Sequence, residues 1–219
     1  MSDLNLVIAI DGPAGAGKST VAKLLAERLG LRYLDTGAMY RCVALAANRA
    51  GLTAQDGDAA AALAQGLAID FGAGDPPSVW LNGEDVSEAI RTPEMAELAS
   101  ALSAFAAVRI ELVARQQALV QHGGWTLEGR DTTTVVAPNA TLKVFLTASL
   151  EERTRRRHND LEERGMVVPG DLARQIADRD HRDYTRSESP LSVSKDALVI
   201  ESFGVSPGDV VDRIIAHLP

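Results

Sequence analysis

An α/β fold, with a parallel sheet flanked by helices on both faces, is predicted by three features of this 219-residue sequence. Short apolar runs alternate with stretches of helical spacing, the pattern of parallel strands joined by crossover helices. The first run passes through the pattern G-x-x-x-x-G-K-S directly into a helix. The stretches richest in Gly, Asp and Arg follow apolar runs, at the carboxyl ends of strands, where open α/β sheets bind ligands.

Leu4 to Ile10 is nearly unbroken apolar sequence, as expected of a strand buried on both faces. Val21, Leu24, Leu25 and Leu29 then repeat at helical spacing, with Gly30 as the stop. Leu31 to Leu34 is a second short strand. Asp35 or Thr36 caps a helix whose core face is Met39, Val43, Ala46, Ala47 and Ala50, with Tyr40 and Arg41 off that face. Asp56 to Gly66 is helical by its alanines. Leu67 to Phe71 and Ser78 to Leu81 read as short strands around Gly72, Gly74, Asp75, Pro76 and Pro77, and Asn82-Gly83 signals a tight turn. A small antiparallel lobe thus interrupts the alternation. Thr92-Pro93-Glu94 opens a helix that breaks near Phe105 and ends at Gly123-Gly124. Trp125 to Leu127 and Leu142 to Leu146 are the third and fourth core strands, and Ser149 to Glu152 is a capping box. A further helix runs from about Asp171 toward Tyr184. Ala197 to Ile200 is the fifth strand, and Val210, Val211, Ile214, Ile215 and Leu218 line the last helix. Trp80 and Trp125 read as core residues.

Gly12, Pro13, Ala14, Gly15, Ala16, Gly17, Lys18, Ser19 and Thr20 form the loop between the first strand and its helix. Its glycines let successive backbone N–H groups point inward at phosphate oxygens, and the helix adds the positive end of its dipole. Lys18 is expected to reach the β and γ phosphates of a bound nucleotide, and the Ser19 hydroxyl to bind Mg²⁺. Arginines gather near predicted strand ends and loops: Arg41, Arg130, Arg153, Arg156, Arg157, Arg179, Arg182 and Arg186. Their planar forks suit phosphate, and phosphoryl transfer needs chiefly positioning and charge stabilisation. For Arg153 to Arg157 surface salt bridging is the competing reading, because Glu151, Glu152, Glu162 and Glu163 are close by.

A net charge of −8 argues against a dedicated nucleic-acid binder. The single cysteine, Cys42, leaves no internal disulfide, so a reducing, cytoplasmic setting is expected. Met1 to Ile10 lacks the pattern of a signal peptide, and no apolar run reaches membrane-spanning length. His122, His158, His181 and His217 share no metal-ligand spacing. No Asn-Lys-x-Asp guanine reader and no Leu-Ser-Gly-Gly-Gln signature are found, which favours a small kinase over a regulatory GTPase or a transport ATPase.

Gly12 to Thr20, Leu34 to Arg41, Ile90-Arg91-Thr92, Glu128-Gly129-Arg130-Asp131 with Thr134-Val135-Val136, and Arg179-Asp180-x-x-Asp183-x-x-Arg186 with Pro190-Leu191 occur in this order over nearly the whole chain. Together they resemble the bacterial cytidylate kinases. The resemblance implies a P-loop kinase with a five-stranded parallel sheet, an inserted nucleoside-monophosphate lobe containing a small antiparallel sheet, and a short lid. It implies core segments at 1–35, 106–149 and 169–219, the lobe at 36–105 and the lid at 150–168. The activity implied is phosphorylation of CMP and dCMP by ATP with Mg²⁺, by a monomer. Thr36, Tyr40, Arg41, Ser100, Arg109, Arg130, Asp131, Arg179, Asp183 and Arg186 match positions around the monophosphate, and Lys18, Arg130, Arg153 and Arg157 would act on the transferring phosphoryl group. Asp183 and Arg179 would face the sugar, with Ser100, Arg109 and Asp131 near the base. The chain departs from the pattern at Thr132-Thr133, where an apolar residue and a glycine are expected, and at Ala137 and Asn139, where Phe and Asp are common. If that glycine serves close approach of the backbone to substrate, Thr133 reshapes the base pocket. Two other readings stand beside this one: a UMP or small-metabolite kinase on the same scaffold, and a nucleotide-dependent RNA-binding or regulatory module using Arg153 to Arg157.

Overall fold

The computed structural model describes residues 5–72, 74 and 77–219. Leu4, at the head of the expected first strand, and Asp75 and Pro76, in the lobe's glycine–proline stretch, lie outside the described residues. In chain order the elements are β1 (Val7–Asp11), α1 (Lys18–Leu29), β2 (Arg32–Asp35), α2 (Thr36–Arg49), α3 (Gly57–Gln65), β3 (Ile69–Phe71), β4 (Val79–Leu81) and β5 (Glu84–Asp85). They continue as α4 (Pro93–Leu102), α5 (Ala106–Val120), β6 (Trp125–Gly129), β7 (Leu142–Thr147), α6 (Leu150–Glu163), α7 (Leu172–Thr185), β8 (Leu198–Glu201) and α8 (Pro207–Ile215). Two compact units result, one of Met1–Leu34 with Leu119–Pro219, the other of Asp35–Ala118. The second unit therefore runs past residue 105 to Ala118, and the stretch 150–168 belongs to the first.

The larger sheet has the order β2-β6-β1-β7-β8, with β1 parallel to both β6 and β7, and β7 parallel to β8. β1 is central because its residues are apolar on both faces, and its last four residues are buried. Ile8 and Ile10 join Val144, Leu146 and Ile200 on one face, where Val21, Ala22 and Leu25 of α1 pack with Val210, Val211 and Ile214 of α8. Gly30 ends α1 in the left-handed conformation, as its spacing predicts. The register sets Asp11 beside Gly129 on β6 and Phe145 on β7, so three strand ends lie together. α6 and α7 pack through a small separate cluster of Leu161, Leu172 and Ile176, with Met166 and Val168 against it. Ser149 caps α6 by accepting from the Glu152 amide.

In the second unit Asp35 caps α2 by accepting from the Ala38 amide, which decides between the two candidate caps. The antiparallel sheet has the order β3-β4-β5. Asn82 and Gly83 both take positive φ, 51° and 82°, which is the geometry of a two-residue turn that twists with its strands. Two expectations are corrected here. Trp80 is 39% exposed because β4 alternates, turning Val79 and Leu81 inward and Trp80 outward. Tyr40 is buried, and Ala50 exposed, because α3, α4 and the 3₁₀ turn Ala89–Arg91 pack around α2 on more than one side. A single amphipathic stripe describes that helix poorly.

Candidate active site

The loop 12–17 folds as a cradle because two of its positions admit only glycine. Gly12 has φ 149°, and a Cβ placed on it would stand 1.9 Å from the Leu146 carbonyl oxygen on β7. Gly17 is the N-cap of α1 at φ 93°; no side chain caps this N-terminus, and no acid stands in its first turn. The helix start is thus left to an anion. Lys18, the first residue of α1, folds back and donates from Nζ to the Pro13 carbonyl at 2.9 Å. Burial, then the charges of Arg130 and Arg179, push its pKa down to about 7, against the opposing pull of Glu128 and Asp11. Gly12→Ala is expected to abolish nucleotide binding, since the new methyl collides with backbone rather than a movable side chain. Calorimetric titration with ATP checks this; binding within twofold of the unaltered protein would refute the close-packing explanation.

Two helices brace the cradle from behind. The Asp180 carboxylate on α7 accepts from the Ala14 amide at 3.1 Å and from the Arg153 guanidinium. Arg153 also donates to the carbonyls of Ala14 and Ala148, both at 3.0 Å. Arg153 is buried there because α6 starts directly after β7, which lays its first turn against the loop. Arg156 donates to the carbonyls of Ala16 and Ser202, at 3.2 and 2.8 Å. Arg155 pairs with Glu152 at 2.8 Å, and Arg157 with Asp160 at 2.6 Å.

At the end of β6 lies a residue, Glu128, to which the sequence motifs gave no role of its own. Glu128, 6% exposed, accepts the Ser19 hydroxyl at 2.7 Å. Its place just before Gly129-Arg130-Asp131 at a strand end was the available signal. The Ser19 hydroxyl and a carboxylate side by side are hard oxygen donors, a set that fits Mg²⁺, which takes few protein ligands and completes its shell with phosphates and water. No larger group of His, Cys, Asp and Glu gathers to hold a metal among the described residues. Arg130 donates from Nε to Asp183 at 2.7 Å, and Arg186 approaches the same carboxylate at 3.3 Å. Burial works to raise the Asp183 pKa, but Arg130, Arg179 and Arg186 together hold it below the ordinary value. Asp131 is also buried. Thr132 and Thr133 are turned onto Asp11, each donating from both amide and hydroxyl. They are 0% and 1% exposed.

In the second unit α2 carries Thr36, Tyr40 and Arg41, and it packs on α4, which carries Ser100. Arg41 pairs with Asp35 at 2.7 Å; although burial favours the neutral acid, Arg41 keeps the Asp35 carboxyl below its ordinary range. Arg109 of α5 sits 5.3 Å over the Tyr40 ring and donates to the Ser103 carbonyl at 3.4 Å.

The family model described as "Cytidylate kinase" matches residues 8–219. The chain belongs to the cytidylate kinase family. It is 48% identical to the cytidylate kinase of Geobacter sulfurreducens over 95% of this chain and 91% of that protein. It is 49% identical to a bifunctional pantoate ligase/cytidylate kinase of Synechococcus sp. (strain CC9605) over 96% of this chain. There the chain spans 45% of the relative's length. The fold is shared more widely: a gluconokinase from Sinorhizobium meliloti superimposes with a TM-score of 0.50 at 15% identity, over 97% of this chain and 91% of the other. No helix among the described residues is long and apolar enough to cross a membrane.

Proposed function

We propose that the protein transfers the γ-phosphoryl group of ATP to CMP and dCMP, giving ADP and CDP or dCDP. The observation that carries this reading is the buried Lys18 in a capless glycine cradle, beside the Ser19–Glu128 oxygen pair, in a chain of the cytidylate kinase family. Gly12 to Thr20 hold the ATP phosphates through backbone N–H groups, and Lys18 shifts from the Pro13 carbonyl onto them. Ser19, with Glu128 beside it, would hold Mg²⁺, which when bound would neutralise charge on the phosphates. A phosphate oxygen of the acceptor attacks the γ phosphorus as the bond to the β-phosphate oxygen breaks, so no covalent enzyme intermediate and no dedicated general base are needed. Lys18, Arg130 and Arg157 bear on the charge of that transition state, while Arg153 acts through Ala14. Thr36, Tyr40, Arg41, Ser100 and Arg109, and Arg130, Asp131, Arg179, Asp183 and Arg186, bind the acceptor monophosphate nucleotide. A cytoplasmic monomer with no nucleic-acid partner is consistent with the lone, buried Cys42 and the acidic charge.

The test is coupled ADP formation with ATP and Mg²⁺ against CMP, dCMP, UMP, AMP and no acceptor. Turnover is expected with CMP and dCMP. Turnover with UMP alone would keep the kinase and move its substrate; no turnover with any acceptor, alongside salt-sensitive RNA binding, would favour the regulatory module.

A further inference from the structure

Asp11 is the last residue of β1 and directly precedes Gly12 of the phosphate cradle. Its carboxylate is fully buried and accepts four hydrogen bonds from two consecutive residues. Oδ1 receives the Thr132 amide at 2.8 Å and hydroxyl at 2.7 Å; Oδ2 receives the Thr133 amide at 2.8 Å and hydroxyl at 2.6 Å. These two residues open the segment Thr132–Val136, which winds wider than an α-helix: the Val136 amide bonds the Asp131 carbonyl at 3.1 Å and the Ala137 amide bonds the Thr132 carbonyl at 2.8 Å. Such one-turn wide helices gather at functional sites. Its first amides have no partner within the turn and point at Asp11, as at any helix N-terminus.

Amides alone would serve each carboxylate oxygen once. The hydroxyls double that number. The residues just before them are Arg130, bound to Asp183, and Asp131. A buried carboxylate with four short donors has one low-energy position, so the link is stiff in both directions.

We infer that Thr132 and Thr133 are positioning residues for phosphoryl transfer, their hydroxyls fixing the entry of the phosphate cradle against the turn that carries Arg130 and Asp131. The inference rests on the kinase reading and deepens it. Neither threonine touches a nucleotide; both act through Asp11. Their contribution is to hold Gly12 and Arg130 in one frame, where displacement by about 1 Å is enough to lower turnover by roughly 100-fold.

The experiment compares T132V/T133V, which keeps the branched shape and removes both hydroxyls, with T132S/T133S, which keeps the hydroxyls and removes both methyls. kcat for ADP formation, KM for ATP and CMP, thermal midpoint, and hydrogen exchange at the amides of residues 12–20 are measured for each. The valine variant is expected to lose roughly 10- to 100-fold in kcat, with both KM values within threefold and faster exchange in the cradle. The serine variant is expected to keep kcat within threefold, and single valine variants to fall between. Valine kcat within twofold of the unaltered protein overturns the inference. So does a serine loss equal to the valine loss, or a lowered thermal midpoint with kcat unchanged, which would make the hydroxyls structural only. If the unaltered protein phosphorylates no acceptor, the kinase reading itself fails, while the exchange measurement still decides whether the hydroxyls stiffen the cradle.

Discussion

Lys18→Ala is expected to lower turnover by roughly 10²- to 10³-fold while leaving the fold intact, because it removes a preorganised cation from the charge that develops in transfer. The fold survives because in the free protein Nζ bonds only the Pro13 carbonyl among the contacts seen, and the buried ammonium opposes stability. Its folded pKa, pushed down to about 7, lies below the ordinary 10.5. The folded state therefore binds fewer protons than the unfolded chain between those values. The penalty is complete below about pH 7 and is relieved as pH climbs toward 10.5. Phosphates arriving at the cradle reverse this by favouring the charged form. At pH 8, ATP binding is then expected to take up close to one proton in the unaltered protein and none in Lys18→Ala. Titration calorimetry in buffers of different ionisation enthalpy reads this number directly. Uptake that persists in the alanine variant would assign it to another group, and retained turnover would remove Lys18 from the chemistry.

Asp183→Asn is expected to destabilise the protein by about 3 kcal/mol and to weaken acceptor binding. Removing one partner from a buried ion pair leaves the opposite charge uncompensated. Here Arg130 at 2.7 Å and Arg186 at 3.3 Å both face the lost carboxylate. Urea unfolding near neutral pH checks the magnitude, and an unchanged midpoint would show that the cluster contributes nothing to stability. The pH dependence has a definite sign. Because the folded carboxyl titrates below its ordinary 3.8, its contribution is complete above that value and is lost as pH falls through the folded one. Acid titration of the unaltered protein should show a loss of stability in that range that the asparagine variant lacks.

What could be read from residues alone was local. The apolar run of β1, the glycines of the cradle, the helical spacing of Val21 and Leu25 and the Asn82-Gly83 turn each express a backbone preference or a period within a few residues, and all appear where expected. The family's motifs drew attention to the glycine-rich loop and to the arginines as groups. Failures arose where burial depends on several neighbours at once, as for Tyr40 within three packed elements, or on which side of a two-residue alternation faces inward, as for Trp80.

By itself, then, the sequence determined the alternating α/β plan and the glycine-rich loop after β1, because these follow from short-range sterics and hydrophobic period. Tertiary structure alone decided which polar groups meet. Ser19 finds Glu128 across 109 residues, and Asp11 finds Thr132 across 121, because β6 pairs beside β1 and brings their carboxyl ends together. Arg153 is tied to the loop after β1 because Asp180 on α7 and the Ala14 carbonyl are within its reach. No periodicity reports such partners: strand order and helix packing set them, and the cost of burying an unpaired charge makes each of them matter.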